Sequence, residues 1–127
     1  MKIGELSARS GLSVHTLRYY ERIGLVPYAH RDGARQRDYD PSILVWIAFL
    51  GRLKTTGMAI REMLRYADLR EQGDATRSAR QSLLEDHREL VRAKIAELTA
   101  CLAVLDTKIA FYGEVTPKVE SDNDRDD

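Results

Sequence analysis

The stretch Gly11–Leu25, GLSVHTLRYYERIGL, decides how the rest of the chain is read. Ser13 offers a hydroxyl to the free backbone N–H groups of a helix start. Gly24 closes the same helix by adopting a left-handed conformation that residues with a Cβ avoid. At about 100° per residue, Val14, Leu17 and Glu21 share one arc, while His15, Arg18, Tyr19 and Arg22 point the other way. The second face carries two guanidinium groups, an imidazole and a phenol. All of them donate hydrogen bonds to phosphates or base edges, which is the dress of a recognition helix.

Upstream, Ile3, Leu6 and Ala8 fit a short helix that ends at Gly11. A second helix starting two residues later makes a helix-turn-helix, in which the second helix enters the major groove. The same pattern fits an αα-hairpin inside a bundle. The His, Arg, Tyr, Arg face favours DNA contact, because a bundle surface mixes Glu with Lys.

Downstream, Val26–Tyr39 loses helical periodicity at Pro27 and at Arg31-Asp32-Gly33-Ala34. Val26, Tyr28 and Tyr39 suit short strands around a turn, giving a ribbon that carries Arg31, Arg35 and Arg37. Such a ribbon is barely stable alone and must pack on the helices, with its arginines beside the recognition helix. Asp40-Pro41 then reads as an N-cap followed by a first-turn proline. Leu44, Ile47, Leu50 and Leu53 line a buried face, Trp46 and Phe49 join the core, and Thr55-Thr56-Gly57 stops the helix. Ile60, Met63, Leu64 and Ala67 mark a fourth amphipathic helix.

Gln72-Gly73-Asp74 reads as a hinge, with Asp74 or Thr76 capping the helix after it. No Pro or Gly then intervenes before Tyr112. Val91, Ile95, Leu98, Leu102, Leu105, Ile109 and Tyr112 alternate steps of four and three, a coiled-coil seam. Leu84 and His87 extend it backwards through a stutter. A helix over Ala75–Tyr112 is on the order of 57 Å long, more than so small a globule can cover, so a second copy is expected along it. The organisation expected is a DNA-binding domain over 1–72, a dimerisation helix over 73–113 and an acidic disordered tail over 114–127.

Residues 1–70 hold 12 Lys/Arg against 7 Asp/Glu, and residues 71–127 hold 8 against 13, so a neutral chain has a basic front and an acidic rear. No apolar run approaches the ~20 residues of a membrane span, and no signal peptide is read at Met1-Lys2. Cys101, alone, excludes an intrachain disulfide and a multi-cysteine zinc site. A cytoplasmic protein without cofactor, metal or membrane partner is expected. No nucleophile–base–orienter set is visible, so no catalytic residue is assigned and an enzyme is the weakest reading.

The order of elements and the residues KIGELSARSGLSVHTLRYYERIGLV, with Arg18-Tyr19-Tyr20-Glu21 at their centre, resemble the MerR family of transcriptional regulators. So do Arg37-Asp38-Tyr39, at its wing, and Lys54-Thr55-Thr56-Gly57-Met58, at the turn before its fourth helix; the resemblance runs from residue 1 to about 112. It implies a mainly α fold: a winged helix-turn-helix with a small β-hairpin wing and a long terminal helix forming an antiparallel coiled-coil dimer. It implies a homodimer on an inverted repeat in a promoter spacer, bending and untwisting double-stranded DNA so that RNA polymerase finds both promoter elements. By motif position, Arg18, Tyr19, Tyr20, Arg37 and Tyr39 would contact DNA, joined by His15 and Thr16 in the groove and Arg31 on the backbone. Arg35 stands where relatives often have Gly, and Ala59 where they often have a capping Ser or Thr. Glu21 is expected to orient arginines rather than touch DNA.

The family's metal sensors place cysteines at the start of the long helix and in a C-terminal loop, and Arg77–Leu84 and Gly113–Asp127 contain none. His87 is expected to be a packed or interface histidine rather than a ligand. The tract from Gly57 to Leu98 most resembles the small-effector branch tied to aldehyde and electrophile stress, although Arg52 occupies that branch's usual cysteine position. Cys101 reads as half-buried packing. A small-molecule effector or partner is expected at the junction of the fourth helix and the dimer helix. The competing reading is a coiled-coil adaptor whose helix-turn-helix binds protein rather than DNA.

Overall fold

Two glycines bound the helix that matters. A computed structural model describes residues 1–114 except 32 and 34–36, with the backbone alone of residues 30, 31 and 37. Helix α1 spans Ile3–Ser10 and ends at Gly11, whose φ of 80° lets its N–H reach Ser7 O at 3.0 Å. Helix α2 spans Val14–Ile23. Ser13 Oγ accepts the Thr16 N–H at 3.0 Å, which satisfies an otherwise orphaned donor. Gly24, at φ 88°, allows the N–H of Leu25 to fold back on Tyr20 O at 2.9 Å. Leu25 and Val26 thereby drop into the core.

The ribbon is shorter than its residue types suggest. Strands β1 (His30–Arg31) and β2 (Arg37–Asp38) pair antiparallel, His30 opposite Asp38 and Arg31 opposite Arg37. Val26, Tyr28 and Tyr39 lie outside it. Val26 spends its N–H on Tyr20 O and Tyr39 spends its own on Met1 O, so neither donor is left for a ladder.

Helix α3 (Ile43–Thr55) begins two residues later than the Asp40-Pro41 signal implies. The Asp40 carboxylate accepts the Ser42 N–H at 2.9 Å, and Ile43 and Leu44 bond back three residues to Asp40 O and Pro41 O, so a tight turn precedes the helix. That backbone hydrogen bond from Ser42, helped by the Ser42 side chain, holds the Asp40 carboxyl below its ordinary range. Trp46, Ile47, Leu50 and Leu53 are buried as their spacing requires, and Trp46 Nε1–H donates to Leu25 O at 3.0 Å. Phe49 is half-buried, and Tyr66 stacks on Trp46 with ring centroids 5.9 Å apart.

Helix α4 spans Ile60–Glu71. Met63 and Ala67 are buried, as is Met58 in the preceding turn, but Ile60 is exposed. Ala59 has the extended conformation of an N-cap (φ −68°, ψ 149°) and no side chain to cap with. Ala59→Ser is therefore expected to raise stability by about 1 kcal/mol. A denaturant midpoint that fails to rise would show that the orphaned N–H groups there are already satisfied.

A 3-10 turn, Gly73–Thr76, leads into α5, Arg77–Gly113. Thr76, one of the two candidate caps with Asp74, turns its hydroxyl back along the chain. Its hydroxyl lies 2.5 Å from Leu69 O and 2.9 Å from Gly73 O, and it accepts from Arg80 Nε at 3.1 Å. It holds the end of α4 to the start of α5. The chain divides into two compact units, Met1–Arg88 and a second beginning at Glu89. The first contains the core and about three turns of α5, anchored by buried Leu83. In the second, Ile95, Leu98, Leu102, Leu105, Ile109 and Tyr112 are each more than half exposed.

Candidate nucleic-acid interface

Helix α2 is rooted by one face, which frees the other. Leu17, Tyr20 and Glu21 are buried, and His15, Arg18, Tyr19 and Arg22 are exposed together on the opposite side. The Arg22 guanidinium lies 5.4 Å from the centroid of the Tyr19 ring, a cation–π contact that stiffens two long side chains on that face. Thr16 is half-buried, and its hydroxyl sits 3.0 Å from Ser13 Oγ, so it is tied into the cap.

Glu21 is the buried charge of the helix, at 1 % exposure. Its Oε2 accepts the backbone N–H of Ala29 at 3.1 Å, just before β1. Through this bond the carboxylate fastens the start of the ribbon to the inner side of α2. Glu21→Ala would take the acceptor away from the part-buried Ala29 N–H and is expected to cost about 1–3 kcal/mol. Glu21→Gln keeps an acceptor oxygen and should cost less. Equal melting temperatures for the two variants would show that the Ala29 bond contributes nothing.

Two of the tyrosines assigned to DNA do not stand on the open surface. Tyr39 is 3 % exposed at the base of the ribbon, where the Met1 amino group donates to Tyr39 O at 2.8 Å and pairs with Asp38 at 3.0 Å. Tyr20 is buried in the core, but it also lines a cavity of about 390 Å³ beside α1 and α3. Arg9, Ser10 and Lys54 line that cavity together with Leu12, Ile47 and Leu50. Among the described residues the Tyr20 hydroxyl has no hydrogen-bond partner and Lys54 has no ion pair. Sequence reasoning misses Arg9 and Lys54, because no spacing rule relates residues 9, 20 and 54. Arg31 and Arg37 are register partners in the ribbon. Arg35 lies outside the described residues.

Among the described residues no group of three His, Cys, Asp or Glu is placed to hold a metal ion, and no helix is long and apolar enough to cross a membrane. Cys101, beside the equally exposed Leu102, is exposed in the single chain.

A helix-turn-helix with a basic, aromatic outer face and a ribbon beside it defines a helix-turn-helix DNA-binding regulator. Residues 2–39 match the model of the MerR family regulatory protein, and residues 44–108 match the MerR DNA-binding model. The chain is 39% identical over 102 residues to an HTH-type transcriptional regulator of Haemophilus influenzae, covering 80% of this chain and 76% of that protein. It is 38% identical over 89 residues to the HTH-type transcriptional regulator AdhR of Bacillus subtilis, covering 70% of this chain and 64% of AdhR. Among solved structures it resembles HiNmlR, a MerR family regulator lacking the sensor domain and bound to promoter DNA, with 35% identity, a TM-score of 0.79, and coverage of 89% of this chain and 90% of that one. The chain belongs to the MerR family of transcriptional regulators. It is a DNA-binding regulator of that type and not an enzyme, and the adaptor reading is not favoured.

Proposed function

We propose that the protein acts as a homodimer on an inverted repeat within a promoter spacer. It activates there by bending and untwisting the duplex so that RNA polymerase engages both promoter elements. The observation that carries this reading is the exposed His15, Arg18, Tyr19 and Arg22 face of a helix whose other side is rooted in the core. Arg18 and His15 read base edges. Tyr19 and Arg22 form a stiffened pair for the backbone, and Tyr20 with Arg9 and Lys54 forms a cradle for a phosphate oxygen. Arg31, Arg35 and Arg37 are assigned to the flanking backbone from the ribbon, while Thr16 and Tyr39 hold the helix cap and the ribbon base.

Pairing is supported by the apolar row from Ile95 to Tyr112, since a soluble monomer rarely leaves such a stripe in water. Antiparallel pairing covers that row with its own copy, with half-buried Val91 at one end and Tyr112 at the other. Residues 1–72 serve DNA, 73–113 serve pairing, and the setting is the cytoplasm. A small-molecule effector acts where α4 meets α5. Selection of bound duplexes from random sequence tests the whole reading. Recovery of an inverted repeat, with affinity falling steeply as salt rises, is the expected result, and recovery of unrelated sequences at equal affinity would end it.

A further inference from the structure

Thr56 and His87 are 31 residues apart in sequence and joined by one hydrogen bond, with Thr56 Oγ1 2.8 Å from His87 Nε2. Thr56 closes α3, and its hydroxyl also lies 2.8 Å from Arg52 O and 3.1 Å from Leu53 O. A hydroxyl has one proton to give. With that proton committed to the carbonyls of its own helix, Oγ1 is left as an acceptor and His87 Nε2–H is the donor.

The place of this bond gives it a consequence. His87 follows buried Leu83 by one turn and half-buried Leu84 by three residues, within the part of α5 that belongs to the first unit, which ends at Arg88. Near its start, α3 is fixed to the cap of the recognition helix by the Trp46 bond to Leu25 O. Helix α3 is thus a strut tied to α2 through Trp46 and to α5 through Thr56. The start of α5 is held to the end of α4 by the Thr76 and Arg80 hydrogen bonds and to the core by Leu83, and the exposed Thr56–His87 bond adds a directional tie from its third turn to the end of α3.

We propose that the Thr56–His87 hydrogen bond is a positioning latch, fixing the start of the long helix on the head and so setting the separation of the two recognition helices on DNA. The proposal rests on the homodimer reading above. His87 is then a positioning residue, and a loss of the latch relaxes discrimination between operator spacings more than it weakens binding.

The test uses the full chain and duplexes recovered by selection from random sequence, rebuilt with the half-sites one base pair closer and one further apart. The variants are Thr56→Val, which removes the hydroxyl and keeps the shape, His87→Phe, which removes the donor, and His87→Gln, which restores an N–H. Wild type should prefer its own spacing. Thr56→Val and His87→Phe should each lose about three-fold to ten-fold of that preference, the double variant should lose no more than either, and His87→Gln should recover most of it. Sedimentation mass is expected to stay that of a dimer throughout. Dimeric variants that keep the full wild-type preference overturn the latch while leaving the homodimer reading intact. A wild-type protein that sediments as a monomer or ignores spacing overturns both. If one single variant melts early, the other single variant and the glutamine rescue decide.

Discussion

Replacing Leu98 and Leu102 together by lysine is expected to yield a monomer at micromolar concentration. Both side chains are more than half exposed in the single chain, at 61% and 56%, and sit in the middle of the seam from Val91 to Tyr112. In a homodimer the double change touches four leucines, each contributing about 1.5–3 kcal/mol when buried. It also sets like charges against each other in the desolvated part of the seam. The loss exceeds what most coiled coils of this length have to spare. Operator affinity should fall with it by a factor on the order of 100 to 10,000, since the second head no longer acts at the effective concentration that linkage provides. Sedimentation checks the mass, and helical content by circular dichroism checks that the chain still folds. A dimer that persists would move the interface away from the row Ile95–Tyr112.

The second large effect belongs to Arg18, which is exposed at the centre of the outer face of α2. Arg18→Ala is expected to cost about 1–3 kcal/mol on the selected operator and to erase preference at one base pair in each half-site, the signature of an arginine on a guanine edge. Lys54→Ala, at the cavity beside Tyr20, should instead weaken binding to every duplex alike and flatten the salt dependence by about one ion per head. Exchange of these two outcomes would transfer base reading from α2 to the cradle. Uniform weakening by Arg18→Ala alone would make α2 a backbone-binding helix.

Much of the head is legible in the residues because its signals are local. Ser13, Gly11 and Gly24 act on their own neighbours within a few residues, and the caps form where the residue types demand. Trp46 declares itself core by its place among Leu44, Ile47 and Leu50. The start of α3 is not legible in the same way, because Asp40 serves a turn ahead of the helix with the chemistry that would otherwise cap it. Thr76 is ambiguous for a similar reason, since its hydroxyl finds the carbonyls of Leu69 and Gly73 rather than the N–H groups ahead.

The amino-acid order alone determined the helix-turn-helix, the segregation of His15, Arg18, Tyr19 and Arg22 from Leu17, and the apolar row of α5. These come from helical periodicity and end-capping, which act over one or two turns. Only the folded head decided that Glu21 grips Ala29 and that Tyr39 bonds to Met1. Only it brought Arg9 and Lys54 to the Tyr20 cavity and set His87 on Thr56. Each of these contacts joins groups whose separation along the chain, from 8 to 38 residues, carries no repeat, and is set by where whole helices cross once their buried faces have packed.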